Sequence, residues 1–300
     1  MSDLGGRRLG EESAPRVDLV PRAVARLAPA RTPTPRLALE KRLLAWHSLA
    51  VYLFLYIPIV ILILYSFNRS KQTAAWEGFT LDWYARLMGN DLILRAVKNS
   101  LIVAVVTTIV STAIGTLVAL ALARRDFRGK GATQATLYLP IIIPEIVVGA
   151  ALVTFFGVLH LRLSLTTVII AHIAFCISYV AIVVRARLAG FDRSLEEAAS
   201  DLGAGPWDTF RRVTLPIILP GIVAGALLVF TISIDDYVIS SFVAGVGATT
   251  LPIQIYSMLK VGVTPEVNAV STLLLLLTVV LIAVSQRLQQ DPTPKGARKK

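Results

Sequence analysis

Six long apolar runs divide the chain, at about 46–67, 99–123, 134–156, 164–184, 216–243 and 267–286. Each approaches or exceeds the roughly 20 apolar residues needed to cross about 30 Å of hydrocarbon as a helix. The pattern therefore predicts an all-α integral membrane protein with six transmembrane helices. The runs are not uniform. Pro58, Pro140, Pro144 and Pro220 lie in or beside them, where neighbouring helices can satisfy the backbone groups that proline frees. Glu145 interrupts the third run, and the pair Asp235 and Asp236 interrupts the fifth. A charge inside a span costs about 2.5–3.5 kcal/mol on insertion scales, so these three carboxylates need a local reason.

The polar segment between the fourth and fifth runs has a pattern of its own. "SLEEAASDLGAGPWDTF", residues 194–210, holds four carboxylates, two glycines and a proline. Ser194 followed three residues later by Glu197 reads as a capping box. Glu196 and Glu197 in the first turn complement the helix dipole. Ala198, Ala199 and Leu202 form a small apolar patch, and Gly203 with Gly205-Pro206 stops the helix and turns the chain. A second short helix is expected over Trp207–Val213, carrying Arg211 and Arg212 to the membrane boundary, and Leu215-Pro216 opens the fifth span. Such an element suits either a solvated loop with tidy ends or a helix that lies in another protein's groove. Beyond the fifth run, Pro252 can begin an amphipathic helix with Ile255, Met258, Leu259 and Gly262 on one face. Gln254, Ser257 and Lys260 point elsewhere.

Composition agrees with the membrane reading. The chain is 55% hydrophobic and 16% charged, with a mean hydropathy of +0.69, against about a quarter charged in soluble domains. Of its 30 Lys and Arg, 23 fall before residue 46, in 124–133, in 185–215 and from Arg287 onward, and seven fall in the other three loops. Basic residues near span ends stay on the cytoplasmic side, so both termini and the 194–210 loop are expected there. The net charge of +11 is then the bias of a membrane protein. Nucleic-acid binding is not indicated, because the basic residues flank spans instead of interleaving with aromatics. Residues 1–45 are rich in Arg, Pro and Ala without helical periodicity and read as a flexible tail. They are not a cleaved signal, since the first apolar run is long enough to span. Residues 289–300 form a basic tail.

Catalytic chemistry finds no foothold. Cys176 is the only cysteine, so no intramolecular disulfide forms, and no cluster has metal-ligand spacing. "RGKGAT" at 128–133 lacks the first glycine and the Ser/Thr register of a phosphate loop. His172, one turn before Cys176, suits either a relay or a hydrogen bond to a neighbouring helix. Uphill movement of a solute would draw energy from a partner or from an ion gradient.

Glu197-Ala198-Ala199, then Gly203, then Val213-Thr214-Leu215-Pro216 resembles the E-A-A-x3-G-x9-I-x-L-P signature of binding-protein-dependent ABC importer permeases, with Val213 where Ile is usual. "LPIIIPEIVVGAAL" resembles the third span of these permeases, "FTISIDDYVISSFVAG" followed by "LPIQIYSMLKVGVTPEVNA" resembles the C subunit of spermidine/putrescine importers, and the likeness runs from about 45 to 288. The resemblance implies the type I ABC importer permease fold over 46–288, in the inner membrane of a bacterial cell. It implies that residues 194–213 are coupling helices seated in a cytoplasmic ATPase, with Ser194, Glu196, Glu197, Ala198, Ala199, Asp201, Gly203, Leu215 and Pro216 as the coupling set. The partners implied are a related second permease subunit, two ATPase subunits and a periplasmic binding protein, within membrane lipid. The chain itself would be non-catalytic and bind no cofactor, with ATP and Mg used by the ATPase, and substrate would pass by alternating access. The helix after the fifth span would contact the binding protein or the outer gate. Glu145, Asp235, Asp236 and Tyr237 are the expected cation path, since spaced carboxylates and an aromatic ring favour a di- or tri-cation. Asp235 and Asp236 could instead cap a broken helix or pair with a basic residue of the partner. A permease for another small solute, a secondary transporter using Asp235, Asp236 and Glu145 as ion sites, and a membrane scaffold remain the alternatives.

Overall fold

The computed structural model describes residues 35–71 and 75–289. The expected tails at 1–45 and 289–300 therefore fall mostly outside the described residues. Two compact units divide the chain, 1–57 and 58–300. In the first, the described residues form the N-terminal part of α1 (Pro35–Tyr65), a helix that begins ahead of the span start expected at 46.

The second unit is built around three long helices. These are α3 (Asp91–Arg124), α6 (Leu165–Ala189) and α9 (Leu215–Asp235), which pack on one another more extensively than other pairs. Their facing side chains are small or β-branched. Val103 and Ala119 of α3 meet Val168, Ala171, Val180 and Val184 of α6 and Val229 of α9 in one buried cluster. Without a strong hydrophobic drive between helices in lipid, close van der Waals fit holds such a bundle. Gly115 marks a close approach of α3 to α6. A Cβ there would lie 2.7 Å from the Val180 Cβ and 2.9 Å from the Ile177 carbonyl oxygen. Because one of those atoms is backbone, Gly115→Val is expected to destabilise the bundle by at least the 1–3 kcal/mol typical of overpacking. Loss of detergent-solubilised monodisperse protein, relative to the unmodified subunit, checks this.

Two of the expected spans are broken. Among the described residues, five helices are long and apolar enough to cross a membrane, and a sixth crossing needs a bent pair. The third run forms α4 (Lys130–Ile142) and α5 (Glu145–Val158), inclined at 110°. Ile143 is extended, with ψ 131°, as the residue before a proline prefers, and Pro144 then opens α5 with Glu145 as its first residue. The fifth run, expected to continue to 243, ends as α9 at Asp235. Asp236 is extended at ψ 121°, and α10 (Val238–Val243) restarts the helix.

Shorter elements complete the unit. α2 (Asp82–Leu87) precedes α3, and Trp83 and Leu87 pack with Leu251 and Ile255 of α11 (Leu251–Val261) and Val267 and Val270 of α12 (Pro265–Gln289). Pro252 stands at the start of α11 as expected. Its buried face is Leu251, Pro252 and Ile255, with Met258 packed alongside, while Leu259 is exposed and Gly262 falls beyond the helix.

Candidate functional site

The loop between α6 and α9 folds as two short helices around a fixed turn. α7 (Ser194–Asp201) ends in Gly203, whose φ is +87°. The Gly203 N–H donates to the Ser200 carbonyl at 2.9 Å and the Ala204 N–H to the Ala199 carbonyl at 3.0 Å, a Schellman termination that satisfies the last carbonyls. Pro206 opens α8 (Pro206–Thr209), and Phe210–Thr214 form a π-helical turn that runs directly into α9. The second helix expected over Trp207–Val213 is thus an α-turn followed by a π-turn. A π-turn of this kind is uncommon and often marks functional positions.

The capping box is not formed. Arg193 already has helical angles, so Ser194 lies inside the first turn and its N–H donates to the Asp192 carboxylate at 3.0 Å. That bond holds the Asp192 carboxyl below its ordinary range. The Glu197 side chain is exposed. Glu196 is the anchored one. Its carboxylate pairs with the Arg124 guanidinium at the end of α3 and accepts from the Thr214 hydroxyl at the start of α9. Arg124 also donates to the Thr214 hydroxyl at 3.0 Å, and Arg193 donates to the Ala123 carbonyl at 2.8 Å. α7 is therefore tied to two spans at once. Ala198, Asp201 and Leu202 stay exposed, as does Trp207, and Ala199 is half-buried. Leu215 is half-buried and Pro216 exposed at the start of α9. No local pattern announces Arg124 and Thr214 as partners of Glu196: along the chain the first is a charge at a span boundary and the second a spacer before Leu215-Pro216.

Replacing Glu196 by alanine removes the shared partner of Arg124 and Thr214. Transport per inserted molecule is expected to fall severalfold, and Glu196→Gln, which can still accept from Thr214, should retain more. Uptake normalised to membrane-embedded protein measures the difference.

The second cluster surrounds the break between α9 and α10. A cavity of about 350 Å³ is lined by Asp235, Tyr237, Tyr256, Leu259, Ser271 and Thr278 among others. The rings of Tyr237 and Tyr256 lie 4.5 Å apart at 40°, and the Lys260 ammonium sits 4.9 Å from the Tyr256 centroid. Asp235 is exposed within this wall. The other two expected carboxylates are elsewhere. Asp236 turns inward, its side chain only 9% exposed, and accepts from the backbone N–H groups of Ile239 at 3.2 Å and Ser240 at 2.8 Å. It therefore caps a broken helix, one of the two alternatives open for it. Glu145 is exposed at the start of α5 and interacts electrostatically with Asp236 and Tyr179. It does not line the Asp235 cavity. Tyr256 joins the site from α11, 19 residues beyond Tyr237, with no local pattern in the sequence to announce it.

A bundle of spans with a two-helix loop tied to its ends and a carboxylate–tyrosine cavity has the build of a membrane-embedded transport subunit. Residues 111–290 match the family described as "Binding-protein-dependent transport system inner membrane component", and the chain belongs to that family. It is 45% identical over 244 residues to the spermidine/putrescine transport system permease protein PotC of Escherichia coli (strain K12), covering 81% of this chain and 92% of that one. It is 42% identical over 231 residues to the putrescine transport system permease protein PotI of the same strain, covering 75% and 82%. Among solved structures, a bacterial ABC transporter involved in the import of the polysaccharide alginate aligns with a TM-score of 0.66 at 16% identity, over 85% of this chain and 98% of that one. The MetNI methionine ABC transporter aligns at 0.54 and 19%, over 70% and 98%. Both likenesses concern the fold, that of ABC importer permeases. The chain is thus a non-catalytic permease subunit of an ABC importer and an inner-membrane component, which displaces the secondary-transporter and scaffold alternatives.

Proposed function

We propose that this subunit imports polyamines, passing spermidine or putrescine from a periplasmic binding protein to the cytoplasm by alternating access. The observation that carries the reading is the cavity in which Asp235 stands beside the Tyr237 and Tyr256 rings. A carboxylate with aromatic faces is the chemistry that selects an alkylammonium group. The names of the two relatives, a spermidine/putrescine and a putrescine permease, support the same class of cargo. In this reading both termini and the α7–α8 loop are cytoplasmic, as the distribution of Lys and Arg favours.

The partners follow from the same reading. A related permease completes the pathway, two ATPase subunits dock below and use ATP and Mg, and a binding protein docks above. Residues 194–213 act as the coupling helices, with Leu202 and Trp207, 89% and 70% exposed, offering apolar surface to the ATPase cleft. Exposed apolar side chains on either side of a fixed turn suit such an interface. Co-purification with the products of neighbouring genes, followed by an ATPase assay in liposomes, tests the proposal. Spermidine- or putrescine-loaded binding protein should stimulate hydrolysis, and stimulation only by a neutral or anionic solute would contradict it.

A further inference from the structure

Asp235 and Asp236 are adjacent in sequence yet face different surroundings, and the residue that separates them sits on another helix. We propose that His172 is a positioning residue for transport. From α6 it holds Asp236 at the start of α10, leaving Asp235, with Tyr237 and Tyr256, as the member of the pair that faces the cavity. The proposal rests on the reading of that cavity as the polyamine path.

The geometry is tight and fully buried. His172 is 2% exposed and its two ring nitrogens are both engaged. Nδ1 lies 2.8 Å from the Ser233 hydroxyl on α9, and Nε2 lies 3.0 Å from the Ser240 hydroxyl on α10. Nε2 is also 3.2 Å from the Asp236 carboxylate. A carboxylate accepts only, so the Nε2–H donates to it, and in the neutral ring Nδ1 accepts from the Ser233 hydroxyl. One imidazole thereby bridges the last turn of α9 and the first turn of α10. The other acids that act electrostatically on Asp236 are Glu145 of α5 and the adjacent Asp235, and neither can serve as a donor while ionised. His172 and the Ser240 hydroxyl are the side-chain donors to the Asp236 carboxylate, and of the two only His172 comes from outside α10.

This bridge matters because the break itself is weakly specified. Between Asp235 and Val238 the α-helical ladder is interrupted, and Asp236 is extended. A two-residue joint without its own ladder takes its angle from side-chain bonds. Swinging Asp236 outward would leave the N–H groups of Ile239 and Ser240 unpaired in the bundle, and would turn Asp235 and Tyr237 with it. The imidazole opposes that rotation from a helix that belongs to the packed core.

The test labels carboxylates in the assembled transporter, held in lipid nanodiscs, with a water-soluble carbodiimide and an amine, read by tandem mass spectrometry. No polyamine is needed for this readout. In the unmodified subunit Asp235 should react and Asp236 should be protected. His172→Ala, which supplies neither donor nor acceptor, should expose Asp236 severalfold and raise the uptake KM more than it lowers the maximal rate. His172→Gln, which keeps one donor and one acceptor, should stay near the unmodified subunit in both readouts. If His172→Ala does not assemble, the labelling ratio of the unmodified subunit and of His172→Gln decides. Equal reactivity of Asp235 and Asp236, or His172→Ala leaving both protection and KM unchanged, overturns the proposal. So does loss of protection with no change in KM while Asp235→Asn does impair uptake. If Asp235→Asn also leaves uptake unchanged, it is the cavity reading that fails, and the labelling result still reports on the clamp.

Discussion

Asparagine in place of Asp235 is expected to lower the specificity constant for spermidine and putrescine uptake about tenfold, a loss of about 1.4 kcal/mol, with assembly intact. The side chain is exposed in the cavity wall and makes no bond that holds the fold. What it offers is charge. An ammonium 4 Å from a carboxylate gains roughly 4 kcal/mol at an effective dielectric of 20, and the exposed position and the desolvation of the cation reduce that to the smaller net figure. The Tyr237 and Tyr256 rings, unaffected by the substitution, keep a cation–π share of about 0.5–2 kcal/mol. Asp236→Asn should behave differently. It weakens the acceptor for two backbone N–H groups and for His172, so it should lower the amount of assembled transporter as well as raise KM. Initial uptake rates across a range of labelled spermidine concentrations, with subunit amounts measured, separate the two. Wild-type KM in Asp235→Asn would remove this residue from the pathway.

Valine at Gly203 is expected to abolish transport while the subunit still inserts. The cost is conformational and not steric in the ordinary sense, because an added Cβ would meet nothing within 4 Å. At φ +87° a β-branched residue is strained by about 1–3 kcal/mol, comparable to the energy that fixes a two-turn helix on its neighbours. Relief requires opening the Schellman turn, which moves Leu202 and the Pro206 helix away from α7. Gly203→Asn should retain most transport, since asparagine visits the left-handed region far more readily. Immunoblots of membrane fractions establish insertion, and uptake with ATPase co-purification establishes coupling. Wild-type uptake by Gly203→Val would sink the assignment of this loop as the coupling element.

The spans and the turn at Gly203 were legible because their signals are local. Twenty apolar residues in a row, or a glycine after an alanine-rich helix, carry their physics within a few positions. The breaks were harder to see. "LPIIIPE" is apolar throughout until Glu145, and hydropathy cannot distinguish a straight span from two helices at 110°, although Pro144 forces Ile143 out of the helical region. The N-terminus of α7 was misplaced because two capping patterns compete there. Asp192 reaches the Ser194 N–H first, which frees Glu197 and leaves Glu196 to bind Arg124 and Thr214.

The candidate site divides along the same line. Asp235, Asp236 and Glu145 stood out as charges in spans, but the separate fates of the Asp pair depend on contacts 61 to 68 residues apart in sequence, between His172 and the two serines. Tyr256 arrives from a helix whose amphipathic pattern was visible while its docking partner was not.

ATP-driven accumulation of labelled spermidine by proteoliposomes holding the complete transporter, with binding protein on one side and ATP trapped on the other, tests the central claim most directly. The account expects accumulation that requires both ATP and the binding protein and is lost in Gly203→Val. Accumulation driven by a proton gradient without ATP, or undiminished in Gly203→Val, would contradict it.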